Sequence, residues 1–271
     1  MNDAFGDRMK KYEMAEAGRT LMTDRIPVIA RLDGRSFSTY TLGLERPFDP
    51  RLSELMAQTA TALLVESGAA CAYTQSDEIT LGWYVTDPKT EFWFGGRIQK
   101  LVSVLAGTAA NEFNRRAVDL LPGKGRLRPA TFDCRVWNVP NTDEGVNSFL
   151  WREHDCTKNS ISMAARCYYS HAQLNNRTGS EMQELLHAKG VNWNDYPAYF
   201  KRGRYIRIEV ITRKYTPDEL AVLPEKHAAR TNPDLVVTRS EPVRLDLPPL
   251  TKIENRFEVL FLGHAPRLYP T

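Results

Sequence analysis

The sequence predicts an α+β protein of ferredoxin-like, split-βαβ type, and three observations carry that prediction. An apolar run at 26–32 ends on Asp33-Gly34. Two β-rich stretches, 70–75 and 79–85, bracket Ser76-Asp77-Glu78 as a hairpin with acids at its tip. Two segments of helical spacing separate these strands from each other and from a further strand at 131–137. The resulting order βαββαβ places helices on one face of the sheet and leaves the other face open.

Each element has its own signal. The strand at 26–32 delivers Asp33 to its C-terminal end. From Pro50, the positions Leu52, Leu55, Met56, Thr59 and Leu63 follow a helical period, and Gly68 supplies the stop. A second helix starts near Arg97, with Ile98, Leu101, Val102, Leu105 and Ala109 on one face. Further on, 148–172 and 180–189 read as helices and 205–211 as a strong strand. The charged, proline-bearing stretch 212–250 reads as a mobile loop or arm, and 253–262 as a final helix or strand. These readings divide the chain into a strand-and-helix core at 1–140 and a helical and strand extension at 141–271 that completes it.

Composition narrows the class. A chain of 271 residues with 42% hydrophobic and 25% charged content can bury a sizeable core. No apolar run long enough to cross a membrane is present, and the start of the chain is too charged for a signal peptide, so a cytoplasmic protein is expected. Cys71, Cys134, Cys156 and Cys167 show neither CxxC pairing nor histidines at zinc spacing, which argues for reduced thiols. The net charge of +3 does not by itself identify a nucleic-acid binder. Its distribution is more informative: Arg115-Arg116, Lys124 to Arg128 and Lys201-Arg202-Gly203-Arg204 are local basic clusters.

The acids suggest chemistry. If their strands lie side by side, Asp33 and Asp77 face each other, and two such carboxylates repel unless protonated or bridged by cations. Mg²⁺ with a nucleoside triphosphate is the simplest occupant. Gly34 allows the backbone to approach an ion or phosphate closely, and the amides of Arg35, Ser36 and Phe37 can form a nest for a triphosphate. Arg97 and Lys100 lie about one helical turn apart, suited to phosphates or to an ordinary solvated helix start.

The motifs also resemble a family. Arg31-Leu32-Asp33-Gly34-Arg35-Ser36-Phe37, Tyr73-Thr74-Gln75-Ser76-Asp77-Glu78-Ile79, Phe94-Gly95-Gly96-Arg97 with Lys100-Leu101, Phe132-Asp133-Cys134-Arg135, and Trp151-Arg152 with Asp155-Cys156 and Asn159 occur in order. Together they resemble the tRNA(His) guanylyltransferase superfamily, the 3′-to-5′ RNA polymerases. The similarity runs from Asp7-Arg8-Met9-Lys10 with Tyr12-Glu13 to Lys201-Arg202-Gly203, roughly three quarters of the chain. The resemblance implies a palm-like catalytic core of polymerase and cyclase type at 1–140, with two Mg²⁺ ions held by Asp33, Asp77 and the Gly34 carbonyl, and an extension at 141–271 that contacts RNA. Nucleotide would be held by Gly34, Arg35, Ser36, Phe37, Arg46, Ser76 and Glu78, with Glu78 either ligating metal or orienting the loop. The open face would then hold nucleotide and RNA, with Arg31, Arg97, Lys100, Arg152, Asn159, Lys201 and Arg202 near the RNA 5′ end or a second nucleotide. ATP, GTP or other NTPs and tRNA are the implied partners, and a dimer or tetramer is the implied assembly.

The sequence departs from the eukaryotic pattern at two points. Thr157-Lys158-Asn159-Ser160 follows Asp155-Cys156 where those members carry His-Ile-Asn-Asn, and Ser38 stands where they often have histidine. The chain looks more like the bacterial, archaeal and phage-type relatives that extend 5′-truncated tRNAs against a template strand. Templated 5′-end repair is therefore favoured over obligatory guanylate addition to tRNA(His). A palm-type nucleotide cyclase, which would use the same acids without RNA, and a non-catalytic tRNA-binding protein are the rival readings.

Overall fold

A computed structural model describes residues 18–87, 89–123, 128–232 and 234–270. The segment at Asp7 to Glu13 and most of the Lys124 to Arg128 cluster lie outside the described residues. Among the described residues, six strands form one antiparallel sheet: β1 (Val28–Gly34), β2 (Cys71–Gln75), β3 (Glu78–Trp83), β4 (Phe132–Asn138), β5 (Arg204–Lys214) and β6 (Val236–Leu245). Their spatial order is β4-β1-β3-β2-β5-β6. The first four strands, joined by α1 (Pro50–Ser67) and α2 (Ile98–Leu120), follow the predicted βαββαβ order. Asp49 caps α1 by accepting from the Arg51 amide, and Gly68 ends it at φ 64°, a left-handed angle that glycine adopts without strain.

The alternation of β1 assigns its side chains to two separate cores. Val28, Ala30 and Leu32 pack on α1 and α2 through Leu55, Met56, Leu63, Leu105 and Phe113. Ile29 points the other way, into a core built from Tyr73, Phe149, Tyr205, Leu250, Val259, Leu260 and Phe261. The second face is therefore closed over much of its area, contrary to the open face expected from the sequence. It is covered by α3 (Thr142–Ala165) and by the C-terminal segment, whose last helix α4 spans Arg256–Phe261. β2 and β3 are buried along their whole length as a result.

Other boundaries differ, including the end of the third long helix, which falls at Ala165 rather than 172. The third long helix starts at Thr142 rather than 148, because the Asn141 side chain accepts from the Glu144 amide and caps it. The stretch expected as a loop or arm contains β6, which pairs with β5 from Tyr205↔Leu245 to Lys214↔Val236. Arg213 holds this ribbon to a short helix at Pro217–Val222 by bonding Glu219 and Glu241.

Candidate nucleotidyl-transfer site

The candidate site lies where β1 ends and the β2–β3 hairpin turns. Gln75 pairs with Glu78, so Ser76 and Asp77 form the tip, with Ser76 in the left-handed region at φ 49°. Asp33 lies opposite Glu78 on one side and Asp133 on the other. The Gly34 amide donates to the Asp77 carbonyl at 3.0 Å and fixes the two acidic segments against each other. The Ser76 hydroxyl and Asp77 Oδ1 are 3.0 Å apart. Burial pushes the Asp77 carboxyl above its ordinary range, and the nearby Asp33 charge pushes in the same direction.

Glu78 is a neighbour in sequence but not in chemistry. Its carboxylate faces Arg152, with Nε to Oε1 at 2.5 Å and Nη2 donating to Oε2 at 3.0 Å, and both side chains are 8% exposed. Arg31 approaches at 4.0 Å. Burial raises the Glu78 pKa, while Arg152 and Arg31 oppose that shift. Arg152 also donates to Asp155 at 2.8 Å and lies 4.4 Å from the Trp151 ring centre, and Asn159 donates to the same Asp155 oxygen at 3.1 Å. Glu78 and Arg152 thus form a buried ionic brace beneath the acidic turn. Of the two readings of Glu78, orienting the loop fits this geometry; Arg152, expected at RNA, is buried and committed to carboxylates.

The Asp33-to-Phe37 turn is also built differently in part. A Cβ on Gly34 would lie 2.3 Å from the Phe37 ring, so the glycine makes room for a core side chain. Phe37 is buried against Tyr40, Phe113 and Phe132, leaving its backbone rather than its ring to meet a ligand. The Arg35 amide donates to the Thr131 carbonyl at 2.9 Å and is unavailable to the expected nest. The amides of Ser36 and Phe37 have no protein acceptor among the described residues.

Beside the turn is a cavity of about 290 Å³ whose lining includes Arg46, Phe48, Asp49, Ser76, Met163 and Arg166. A smaller one shares Phe48, Asp49, Ser76 and Met163 with it and reaches Asn159. Asp49 was absent from the sequence-predicted set. Arg51 clamps it through Nε at 3.0 Å and Nη2 at 2.7 Å and holds its carboxyl down at about 2, so it stays ionised as the partner of Arg51. Its signal was the acid immediately before Pro50, which marks a helix cap.

The remaining predicted residues are dispersed. Arg97 and Lys100 begin α2, whereas Phe113 of that helix packs on Phe37 beside the acids. At a rise of about 1.5 Å per residue, Arg97 is about 24 Å along the axis from that contact. The structure therefore does not bring Arg97 and Lys100 to Asp33 and Asp77 within one chain. The Lys201 ammonium donates to the Asn194 carbonyl and lies 5.5 Å from the Trp193 ring centre. Arg202 lines a separate cavity with Arg204 and Arg244, and its carbonyl accepts from Tyr73 at 2.9 Å.

Mixed helix and antiparallel sheet, a corner where Asp33 pairs in register with Glu78 rather than facing Asp77 directly but lies near enough to act on the Asp77 charge, and backbone amides without a protein acceptor among the described residues define a class: an α+β enzyme suited to phosphoryl chemistry. The model of the Thg1 family, tRNAHis guanylyltransferase, matches residues 6–140. A bacterial tRNA(His) guanylyltransferase (Thg1)-like protein solved in complex with ATP is 41% identical, at a TM-score of 0.69 over 75% of this chain and 88% of that one. A bacterial Thg1-like protein in complex with GTP is 35% identical, at a TM-score of 0.70 over 92% and 95%. A probable tRNA(His) guanylyltransferase of Dictyostelium discoideum is 26% identical over 72% of this chain and 81% of its own length. The chain belongs to the tRNA(His) guanylyltransferase family and is a nucleotidyltransferase.

Proposed function

We propose that the protein adds nucleotides in the 3′-to-5′ direction to the 5′ end of tRNA, directed by the opposite strand, and so repairs 5′-truncated tRNAs. The observation that carries this reading is the corner where the Gly34 amide bonds the Asp77 carbonyl and so fixes the Asp33 and Asp77 segments against each other, beside a cavity containing Arg46 and Ser76. The β4-β1-β3-β2 order around that corner supports a ferredoxin-like palm. Residues 141–271 act with residues 1–140 as one integrated unit.

The acids fit Mg²⁺. Their mutual repulsion is relieved by a cation, and Mg²⁺ is commonly held by one or two carboxylates together with substrate phosphates. Asp33, Asp77 and the Gly34 carbonyl would hold two such ions, which supply charge neutralisation and a more acidic attacking hydroxyl when bound. The Ser36 and Phe37 amides, Ser76 and Arg46 hold the triphosphate, and the Arg46 cavity takes the base. The Glu78–Arg152 brace keeps the hairpin tip aligned, which phosphoryl transfer needs more than it needs a side-chain nucleophile.

The chemistry has two balanced steps. An oxygen of the RNA 5′-monophosphate attacks the α-phosphorus of ATP, forming a phosphoanhydride and breaking the bond to pyrophosphate. The 3′-hydroxyl of an NTP then attacks the activated 5′ phosphorus, AMP leaves and the hydroxyl proton passes to solvent. tRNA, ATP and GTP or other NTPs are the partners, and the working form is a cytoplasmic oligomer. Incubation of 5′-truncated, 5′-monophosphorylated tRNAs with ATP and each NTP in turn tests the proposal. Template-matched extension of several tRNAs is expected; cyclic nucleotide formation without label transfer to RNA would overturn it.

A further inference from the structure

A second cavity, of about 580 Å³, lies on the β4 side of the acidic turn and shares no lining residue with the Arg46 cavity. Its lining includes Arg35, Ser36, Thr39, Tyr40, Arg128 and Thr131, with no acidic residue among those described. This separates it from the Arg46 cavity, which contains Glu45 and Asp49, and from the Arg202 cavity, which contains Glu153 and Asp246. Arg51, Arg152, Arg204 and Arg213 each meet a carboxylate. Among the described residues, Arg35 and Arg128 meet none. The Tyr40 hydroxyl is buried and lacks a hydrogen-bond partner among the described residues. Two guanidinium groups and several hydroxyls without an opposing carboxylate favour an oxyanion ligand.

We propose that this cavity is a second phosphate site, which adjoins the triphosphate position through Ser36 and is otherwise distinct from its Arg46 and Ser76 side. Its position, beginning two residues after Asp33, puts a bound phosphate next to the reacting corner. Its volume is within the range that accommodates a nucleotide-sized group. The phosphate is carried either by the RNA strand or by a free oligophosphate, and RNA is the favoured source because the cavity exceeds what a bare diphosphate fills. The inference rests on the phosphoryl-transfer reading, but its test measures binding rather than turnover, so the two can fail separately.

The test compares wild type with Arg128→Gln and Tyr40→Phe by equilibrium binding of 5′-monophosphorylated tRNA, ATP and inorganic pyrophosphate, each across a salt series. Arg128→Gln is expected to weaken tRNA binding by roughly fivefold to tenfold and to reduce the salt slope by about one, with ATP binding unchanged. Tyr40→Phe is expected to give a smaller loss of about twofold to fivefold. Arg128→Lys, which retains the charge, should recover part of the affinity. Weakened pyrophosphate or ATP binding with tRNA binding intact would uphold the phosphate site and assign it to free oligophosphate. Unchanged affinities for all three ligands in both Arg128→Gln and Tyr40→Phe, with thermal midpoints matching wild type, would overturn it.

Discussion

Asp77 and Glu78 are adjacent acids in one hairpin, and the structure treats them in opposite ways. Burial raises both pKa values. Glu78 is answered by Arg152 and Arg31, whereas Asp77 has the Ser76 hydroxyl as a partner and the like charge of Asp33 acting on it. A compensated buried acid is a structural part, while an uncompensated one beside a cavity is a place for a cation. The brace holds the turn, and the turn holds the charge that chemistry can use.

The comparison breaks most sharply in activity. Asp77→Asn should reduce 5′ extension by at least about 10²–10³-fold while leaving the fold intact, as checked by extension rate and thermal midpoint in parallel. A large loss of stability in that variant would assign Asp77 to the structural side. The next effect is on stability: Arg152→Ala leaves the Glu78 charge buried without its main partner and should cost about 3–5 kcal/mol in denaturant unfolding. Replacing both partners, as Glu78→Gln with Arg152→Met, should cost much less than the sum of the single changes.

A smaller effect is expected at Gly203, between the short helix Ala198–Arg202 and β5. Gly203 has φ 76°, and a Cβ there would lie 2.5 Å from the Tyr73 ring, so Gly203→Ala should destabilise by about 1–3 kcal/mol. The smallest effect is pH-dependent. A carboxyl raised in the folded state favours folding below its unfolded pKa, and that contribution is lost as pH rises through the folded value. In metal-free buffer, wild type should therefore lose stability relative to Asp77→Asn as pH climbs above the ordinary carboxylate range near 4. Glu78 and Glu153 are raised too, but they are common to both proteins and cancel in the difference.

The strands and acids of the corner were legible because their signals are local. β-rich runs around Ser76-Asp77-Glu78 and the helical period from Leu52 to Leu63 need no distant partner to be recognised. The closed second face was not legible, because the buried side of α3 includes Arg152, Glu153 and Ser160, polar residues that disguise its contact with the sheet. Among the described residues, Glu153 is satisfied by distant groups, the Tyr205 hydroxyl and the Leu250 amide, each at 3.0 Å. β6 was hidden for a related reason: its charged and proline-containing sequence reads as loop until Arg213 and Glu241 meet across the ribbon. The separation of Arg97 and Lys100 from the acids depends on the direction of α2, which one-turn spacing does not reveal.

The central claim is that Asp33 and Asp77 form a cation site, and Mg²⁺ titration of wild type and Asp77→Asn at fixed pH tests it most directly. Calorimetry and thermal midpoint read the binding without requiring turnover. The account predicts that Mg²⁺ binds and stabilises wild type, releasing protons where the Asp77 carboxyl is partly protonated, and that Asp77→Asn loses both responses. Equal Mg²⁺ affinity and equal stabilisation in the two proteins would contradict it.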